Sequence, residues 1–374
     1  MRDCFAVVTP GLETVAAAEL QALGFTDAKG EDGGVTFTTD DAGVVRANLT
    51  SRVASRIVVR LASFPATSFA ELERKAKGVP WATVQAPDRA AAFRVTCRKS
   101  RLYHSDAVAE RLAKSVARAV PGVAVEADAA DDDATVTAQQ YVVRVFRDKV
   151  TVSVDASGAL LHRRGYRLAT AKAPMRETLA AACLLALSYD GSAPLLDPMC
   201  GSGTIAIEGA LIAAGIAPGH TRTFSCEAWP SLDAGAAGRA RAAVARPPLA
   251  ARAAIVASDR DAGAVEATQA NAARAGVADR IAVAKHAFSA LEAPPQPGLL
   301  LSNPPYGARV KGGADLRNLY AQFGNVARKS LVGWRVALVS ADRALEAQTR
   351  LPFEDVLEFS NGGISVRLIA ATVA

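Results

Sequence analysis

From Leu195 onward, short apolar runs alternate with helical patterns in a regular order. Leu195-Leu196-Asp197 reads as a short buried strand, and Gly201-Ser202-Gly203-Thr204 turns the chain into a helix from Ile205 to Ala214. The pattern predicts further strands over 254–258, 281–284, 299–302 and 336–340, with helices over 263–274 and 316–331. Val356 to Phe359 and Ile364 to Ile369 flank Asn361-Gly362-Gly363, a hairpin signal. This order predicts an α/β domain, a mostly parallel sheet with an antiparallel edge hairpin. Ligands of such sheets bind at the carboxyl ends of the strands. Three polar strand ends are therefore expected on one rim: Asp197 to Thr204, Asp259 to Asp261, and Asn303 to Tyr306.

The first half reads differently. Phe5 to Val8 has strand character, Val15, Leu20 and Leu23 mark a helix stopped by Gly24, and Val35 to Phe37 alternates again. Strands are then expected at 56–61, 93–97, 123–127, 141–146 and 150–154, with helices at 69–77 and 105–119. This is an α+β pattern. The basic stretch His162 to Arg167 reads as a linker, and the main domain boundary is placed there.

Composition narrows the class. The 374 residues carry 43 Lys+Arg and 37 Asp+Glu, half are apolar, and the net charge is +6. No apolar run approaches the ~18 residues of a membrane span, and Met1 to Phe5 lacks the apolar core of a secretory signal. A cytoplasmic protein is expected. Five scattered cysteines and four histidines show neither a disulfide framework nor ligand spacing, so no metal is expected. Asp131-Asp132-Asp133 reads as a solvated loop, and the sequon at Asn48 as chance. Charge is uneven: residues 1–50 are net −5, residues 51–150 net +6. The middle block, with Arg94, Arg98, Lys99, Arg101 and His104, is either ordinary surface or a footprint for a polyanion.

The rim residues carry the chemistry. Gly201 and Gly203 after a strand let a backbone approach a ligand and expose helix N–H groups. The turn ends Gly203-Thr204-Ile205, without the lysine of a phosphate loop, so a triphosphate is disfavoured. Asp259 lies 56 positions past Gly203, whereas a dinucleotide fold places its ribose-binding acid ~20 residues on. A nucleoside without a pyrophosphate fits better. In Asn303-Pro304-Pro305-Tyr306 two prolines fix an extended turn with no N–H to donate. That leaves acceptors for a planar amine and a ring to stack on its base; the plain alternative is an Asn-Pro turn with a core tyrosine.

Asp197-Pro198-Met199-Cys200-Gly201-Ser202-Gly203-Thr204 together with Asn303-Pro304-Pro305-Tyr306 resembles the class I S-adenosylmethionine-dependent amino-methyltransferases. Leu161 to Arg167, Ala173-Pro174-Met175-Arg176-Glu177 and the Phe224 to Pro230 segment are similar to the THUMP-containing RNA guanine-N2 methyltransferases, such as the RlmL-type 23S rRNA and TrmN-type tRNA enzymes. The resemblance covers nearly the whole chain and is strongest over 161–306. It implies a ferredoxin-like domain (1–55), a THUMP RNA-binding domain (56–160) and a Rossmann-like methyltransferase domain with a seven-stranded sheet (161–374). It further implies that Asp197, Met199, Cys200, Gly201, Ser202 and Gly203 line the methionine end of S-adenosylmethionine, and that Asp259 holds the ribose beside Arg260. Asn303, Pro304 and Pro305 would hold the target amine, and Tyr306 would stack on a flipped-out guanine. Arg94, Arg98, Lys99, Arg101, His104, Arg163 and Arg164 would grip tRNA or 23S rRNA, and a monomer is expected.

One departure stands out. Such enzymes usually carry an acid or amide after the third strand, against the adenine, but here the stretch reads Lys285-His286-Ala287-Phe288. His286 and Ala287 either take that place or are ordinary surface residues. Two other readings stay open: adenine-N6 or protein-glutamine methylation on the same tetrad, and a non-catalytic RNA-binding or assembly protein with a relict cofactor fold.

Overall fold

The computed structural model describes residues 1–126, 137–168, 175–245, 247–305 and 313–374. The chain divides into two compact units. The first contains Met1–Val8, Leu20–Leu161 and Arg222–Ala245; the second contains Thr9–Glu19, His162–Thr221 and Arg246–Ala374.

Among its described residues the first unit holds seven strands: β1 (Arg2–Val7), β2 (Lys29–Glu31), β3 (Gly34–Thr39), β4 (Arg56–Pro65), β5 (Ala91–Arg98), β6 (Gln139–Phe146) and β7 (Lys149–Asp155). They form one sheet in the order β2-β3-β1-β4-β7-β6-β5. Only β5 and β6 pair in parallel. Helices α2 (Asp41–Thr50), α3 (Phe69–Ala76) and α4 (Ser105–Ala119) belong to this unit, whereas most of α1 (Glu13–Ala22) counts with the second. Side-chain caps start two of them, Asp40 accepting from Gly43 N at 2.7 Å and Ser68 from Glu71 N at 3.3 Å. Such caps satisfy amides that a helix start leaves without partners. Strand alternation gives β5 and β6 a buried face (Phe93, Tyr141, Val143, Val145) and an exposed one (Arg94, Thr96, Arg98, Arg144). Trp81 packs edge-on to Tyr141 at 5.2 Å and donates its indole N–H to Ala76 O and Ser115 Oγ. Of the expected strand at 123–127, Val125 forms a single bridge with Ala91, and residue 127 lies outside the described residues.

The single boundary expected near residue 161 is too simple. Residues 222–245, placed in the catalytic half by sequence, fold with the first unit. Gln139 explains part of this: its buried Oε1 accepts from Trp229 Nε1 at 2.8 Å and from Ser225 Oγ at 3.1 Å. Asn48 is buried and donates to Val44 O at 2.9 Å, so the sequon is no surface acceptor.

The second unit completes the helix series with α5 (Glu177–Ala186), α6 (Thr204–Ala213), α8 (Ala262–Arg274), α9 (Gly313–Ser330) and α10 (Arg343–Gln348); α7 (Ala236–Val244) belongs to the first unit. Its strands are β8 (Leu195–Asp197), β9 (Ile255–Asp259), β10 (Ile281–Lys285), β11 (Leu299–Ser302), β12 (Arg335–Ser340), β13 (Glu354–Asn361) and β14 (Ile364–Thr372). The sheet order is β10-β9-β8-β11-β12-β14-β13. β8 to β12 run parallel, and β14 lies antiparallel between β12 and β13. This is the expected α/β sheet with its antiparallel edge.

Leu196, Leu300, Val336, Leu338 and Ile369 of the sheet pack against Tyr320, Phe323 and Ala327 of α9 and against Phe288. Phe288 and Phe323 stack at 4.5 Å with planes 10° apart. Among the described residues, no helix is long and apolar enough to cross a membrane. Phe323→Ala should cost about 3–5 kcal/mol by opening a cavity beneath the sheet. Chemical denaturation checks this, and a loss below ~1 kcal/mol would mean that α9 closes over the gap.

Candidate functional site

β8 is flanked by β9 on one side and β11 on the other, so Asp197, Asp259 and Ser302-Asn303 close three adjacent strands at their carboxyl ends. Strand order reverses here, and the connections leave the two sides in opposite directions, opening a crevice.

The loop after Asp197 is held tightly. Gly201 (φ +55°) and Gly203 (φ +82°) take left-handed conformations, and Gly203 stands at the N-cap of α6. A Cβ on Gly203 would come within 2.7 Å of Thr268 Cγ2, so the contact with α8 admits only glycine. α8 grips the loop by its carbonyls: Thr268 Oγ1 donates to Gly201 O at 3.0 Å and Asn271 Nδ2 to Ser202 O at 2.9 Å. Both side chains are fully buried. Cys200 N donates to Ser258 O at 3.0 Å, tying the loop to β9. Burial raises the Cys200 thiol well above the usual range, with the Asp197 charge adding to it, so it is a packing residue and not a nucleophile.

Asp259 braces the same loop. Its Oδ2 accepts from Gly201 N at 3.1 Å and its Oδ1 from Asp261 N at 3.0 Å. Each carboxylate oxygen keeps a second acceptor position. Asp261 caps α8 by accepting from Gly263 N at 2.8 Å. His286 N donates to Asp259 O at 3.1 Å, so the end of β10 is tied to that of β9; the His286 ring is half-buried, with Nδ1 3.1 Å from Ala287 O. Met199 packs against the core cluster, while Arg260 and Ala287 are exposed. Ser202 and Pro304 are buried, and Pro305 is exposed. Tyr306, Ala173, Pro174 and the Asp131–Asp133 run lie outside the described residues.

The rim gathers unsatisfied polar atoms. Ser258 Oγ and Asn303 Oδ1 are buried with no hydrogen-bond partner among the described residues, and the Ser302 hydroxyl bonds the buried Asp197 carboxylate. An orphaned buried polar atom costs about 1–3 kcal/mol, so two at strand ends either side of the buried Asp197 carboxylate mark a place that a ligand completes. Burial, then the neighbouring Asp259 charge, push Asp197 up to about 8. A cation beside this pair would reverse both effects. The orphaned acceptors, the acidic pair and the close glycine turn fit S-adenosylmethionine, which carries an ammonium, a sulfonium and ribose hydroxyls.

The basic residues fall into two groups. Arg94, Arg98, Lys99, Arg101 and His104 are all exposed in the first unit, on β5 or between it and α4. Arg163 is half-buried, and Arg164 requires a correction. Arg164 is only 4% exposed, with Nε 3.6 Å from the fully buried Glu208 Oε1, which also accepts from Tyr166 OH at 3.0 Å. It balances an internal charge and is not available to RNA. Nearby, Arg274 Nε donates to Tyr166 O at 2.8 Å and its NH2 group bonds Asn271, which in turn holds Ser202. Sequence reasoning missed Thr268 and Asn271. The available signal was two polar residues at i, i+3 spacing in an alanine-rich helix.

Two outcomes follow from this geometry. Affinity for S-adenosylhomocysteine, whose ammonium favours ionised Asp197, should tighten by up to about tenfold per pH unit from pH 6 to pH 8 and level off above. The sign follows from the raised Asp197 value: below about 8 a proton must leave before the cation is paired. Calorimetry should show this slope flattened in Asp197→Asn; a flat profile in the unaltered protein would contradict it. Asn271→Ala should weaken the same affinity roughly tenfold, about 1.4 kcal/mol, by freeing the Ser202 carbonyl; an unchanged dissociation constant would show that the loop holds without it.

The comparisons agree with this geometry. The family described as "RMKL-like, methyltransferase domain" matches residues 164–368, and the "RlmL ferredoxin-like domain" matches residues 3–58. A Synechocystis sp. protein provisionally named an RNA methyltransferase is 31% identical over 98% of this chain and 96% of its own. The ribosomal RNA large subunit methyltransferase K/L of Syntrophotalea carbinolica is 32% identical over 99% of this chain, which spans 53% of that relative's length. A Listeria monocytogenes structure named as a predicted N6-adenine-specific DNA methylase has 31% identity and a TM-score of 0.86, covering 100% of this chain and 96% of its own. SMU.472, provisionally named a methyltransferase and solved with S-adenosylhomocysteine, has 26% identity and a TM-score of 0.88, covering 100% of this chain and 98% of its own. With more than half its length matched, and the glycine turn and acidic pair in place, the chain belongs to the RMKL-like methyltransferase family and is a class I S-adenosylmethionine-dependent methyltransferase with an RlmL-type ferredoxin-like domain at its start.

Proposed function

We propose that this methyltransferase modifies the exocyclic N2 amine of a guanine in structured cytoplasmic RNA, either 23S rRNA or tRNA, and that residues 56–160 act as a THUMP-type RNA-binding domain. The observation that carries the reading is the unpartnered Asn303 Oδ1 at the end of β11, beside the buried acid that ends β8. An unsatisfied acceptor at this rim suits a substrate that donates N–H. RNA as substrate is supported by the names of two relatives and by the exposed cations of β5.

S-adenosylmethionine, when bound, supplies an electrophilic methyl group. The rest is positioning by the chain's own residues. Gly201 to Gly203 and Asp259 hold the cofactor end of the crevice. Asn303 and the Pro304 carbonyl accept the two amine hydrogens and so turn the nitrogen lone pair towards the methyl carbon. Tyr306 stacks on the flipped base. No covalent enzyme intermediate is needed; the amine forms its new bond as the sulfonium loses the methyl, and its surplus proton leaves to water.

The test is transfer of isotope-labelled methyl groups to separate unmodified rRNA and tRNA pools, with the product nucleoside identified by mass spectrometry. N2-methylguanosine from one pool is expected. Asn303→Ala should lower kcat by about 100-fold or more while the dissociation constant for S-adenosylhomocysteine stays within about twofold. Label in N6-methyladenosine would overturn the guanine assignment in favour of the adenine chemistry that the Listeria relative's name carries. Label in neither pool would turn the search to protein substrates.

A further inference from the structure

The two-residue turn joining β6 to β7 is Arg147-Asp148, and both residues take left-handed conformations (φ +50° and +60°). Glycine or asparagine is the usual occupant of such positions, because a longer side chain is strained there. Lys99, just after β5, is left-handed as well (φ +50°). The two turns are locked to each other. Arg101 N donates to Asp148 Oδ1 at 2.7 Å, Asp148 N to Ser100 Oγ at 3.0 Å, and Arg147 N to Arg98 O at 3.4 Å. One carboxylate oxygen of Asp148, the acid of the hairpin turn, is thereby committed to backbone.

Register extends the basic surface from here. β5 pairs in parallel with β6, setting Arg98 opposite Phe146 and Thr96 opposite Arg144; Phe146 in turn faces Lys149 of β7. Arg98, Arg144, Arg147 and Lys149 are exposed, and none of them forms a salt bridge among the described residues. Phe146 pins two of them, with the Arg144 guanidinium 4.9 Å and that of Arg147 5.2 Å from its ring centroid. Guanidinium groups held this way are fixed in place without their charge being neutralised.

We infer that the open face of β5–β7 and its two locked turns form a preorganised clamp for consecutive phosphates of the RNA substrate, with Arg144 and Arg147, set by Phe146, at its centre and Arg98, Lys99 and Lys149 around them. This rests on the RNA reading above. It adds the β6–β7 hairpin to the cations of residues 94–101 and assigns Phe146 a positioning role. Charge complementarity selects the occupant: cations with no acid partner suit a polyanion, and planar guanidiniums suit phosphate oxygens. Asp148 stays in the turn as a brace and takes no part in contact.

The test uses the full chain and unmodified rRNA and tRNA transcripts, with binding measured across salt concentrations. Arg144→Ala/Arg147→Ala should weaken binding at least tenfold, lower the slope of log K against log salt by nearly two, and raise KM for RNA with kcat retained at saturation. Phe146→Leu keeps every charge and should weaken binding about threefold with the slope nearly unchanged. Lys329→Ala, an exposed cation of α9, serves as the charge-loss control. Retained thermal melting and S-adenosylhomocysteine affinity guard against misfolding. If the unaltered protein binds and methylates RNA while the double variant matches it in affinity and slope, the clamp is overturned and the RNA reading survives. If the unaltered protein binds neither transcript, the RNA reading falls and takes the clamp with it.

Discussion

The parallel pairing of β8 with both β9 and β11 is the constraint on which the catalytic unit depends. β8 is only three residues long, yet it occupies the position where strand order reverses. Connections depart to opposite sides there, which opens a crevice at the carboxyl rim. The polar residues that end these strands are withdrawn from water by the packed sheet, and two of them, Ser258 and Asn303, keep a polar side-chain atom with no partner among the described residues. The core of Leu196, Leu300, Val336 and the α9 aromatics supplies the stability against which that unsatisfied cluster is maintained.

The same logic explains the braces around the glycine turn. Gly201 and Gly203 need left-handed backbone and close contact with α8, which leaves their neighbouring carbonyls to be held from outside. Thr268 and Asn271 hold them, and Arg274 links Asn271 to the Tyr166 carbonyl. Asp259 braces the loop from the other side by accepting the Gly201 amide. The loop is thus shaped before a ligand arrives. Preorganisation of this kind lowers the ordering cost of binding and suits a reaction that depends on alignment.

Much of the catalytic unit was legible because its signals are local. Strand-ending Asp197, Asp259 and Asn303 sit next to apolar runs, and the Gly201-Ser202-Gly203 turn announces itself within a few residues. Helices α5 and α7 gave less warning, being alanine-rich, and α10 is only six residues long. Tertiary partners were hidden. Arg164 looked like part of a basic linker because its partner Glu208 lies 44 positions away on a buried helix. The packing of residues 222–245 with the first unit draws in part on Gln139, which no local pattern connects to Trp229. The β6–β7 cations joined those of β5 only through strand register, across the stretch between Arg101 and Arg144.

The central claim is that the orphaned polar atoms on the rim are the receptor for cofactor and amine. A crystal structure with S-adenosylhomocysteine tests it most directly. The account predicts the ligand in the crevice over β8, with its ammonium or hydroxyls within hydrogen-bond distance of Asp197 and Asp259 and with Asn303 left open for the substrate. Ligand bound elsewhere, or a complex in which neither Asp197 nor Asp259 contacts it, would contradict it.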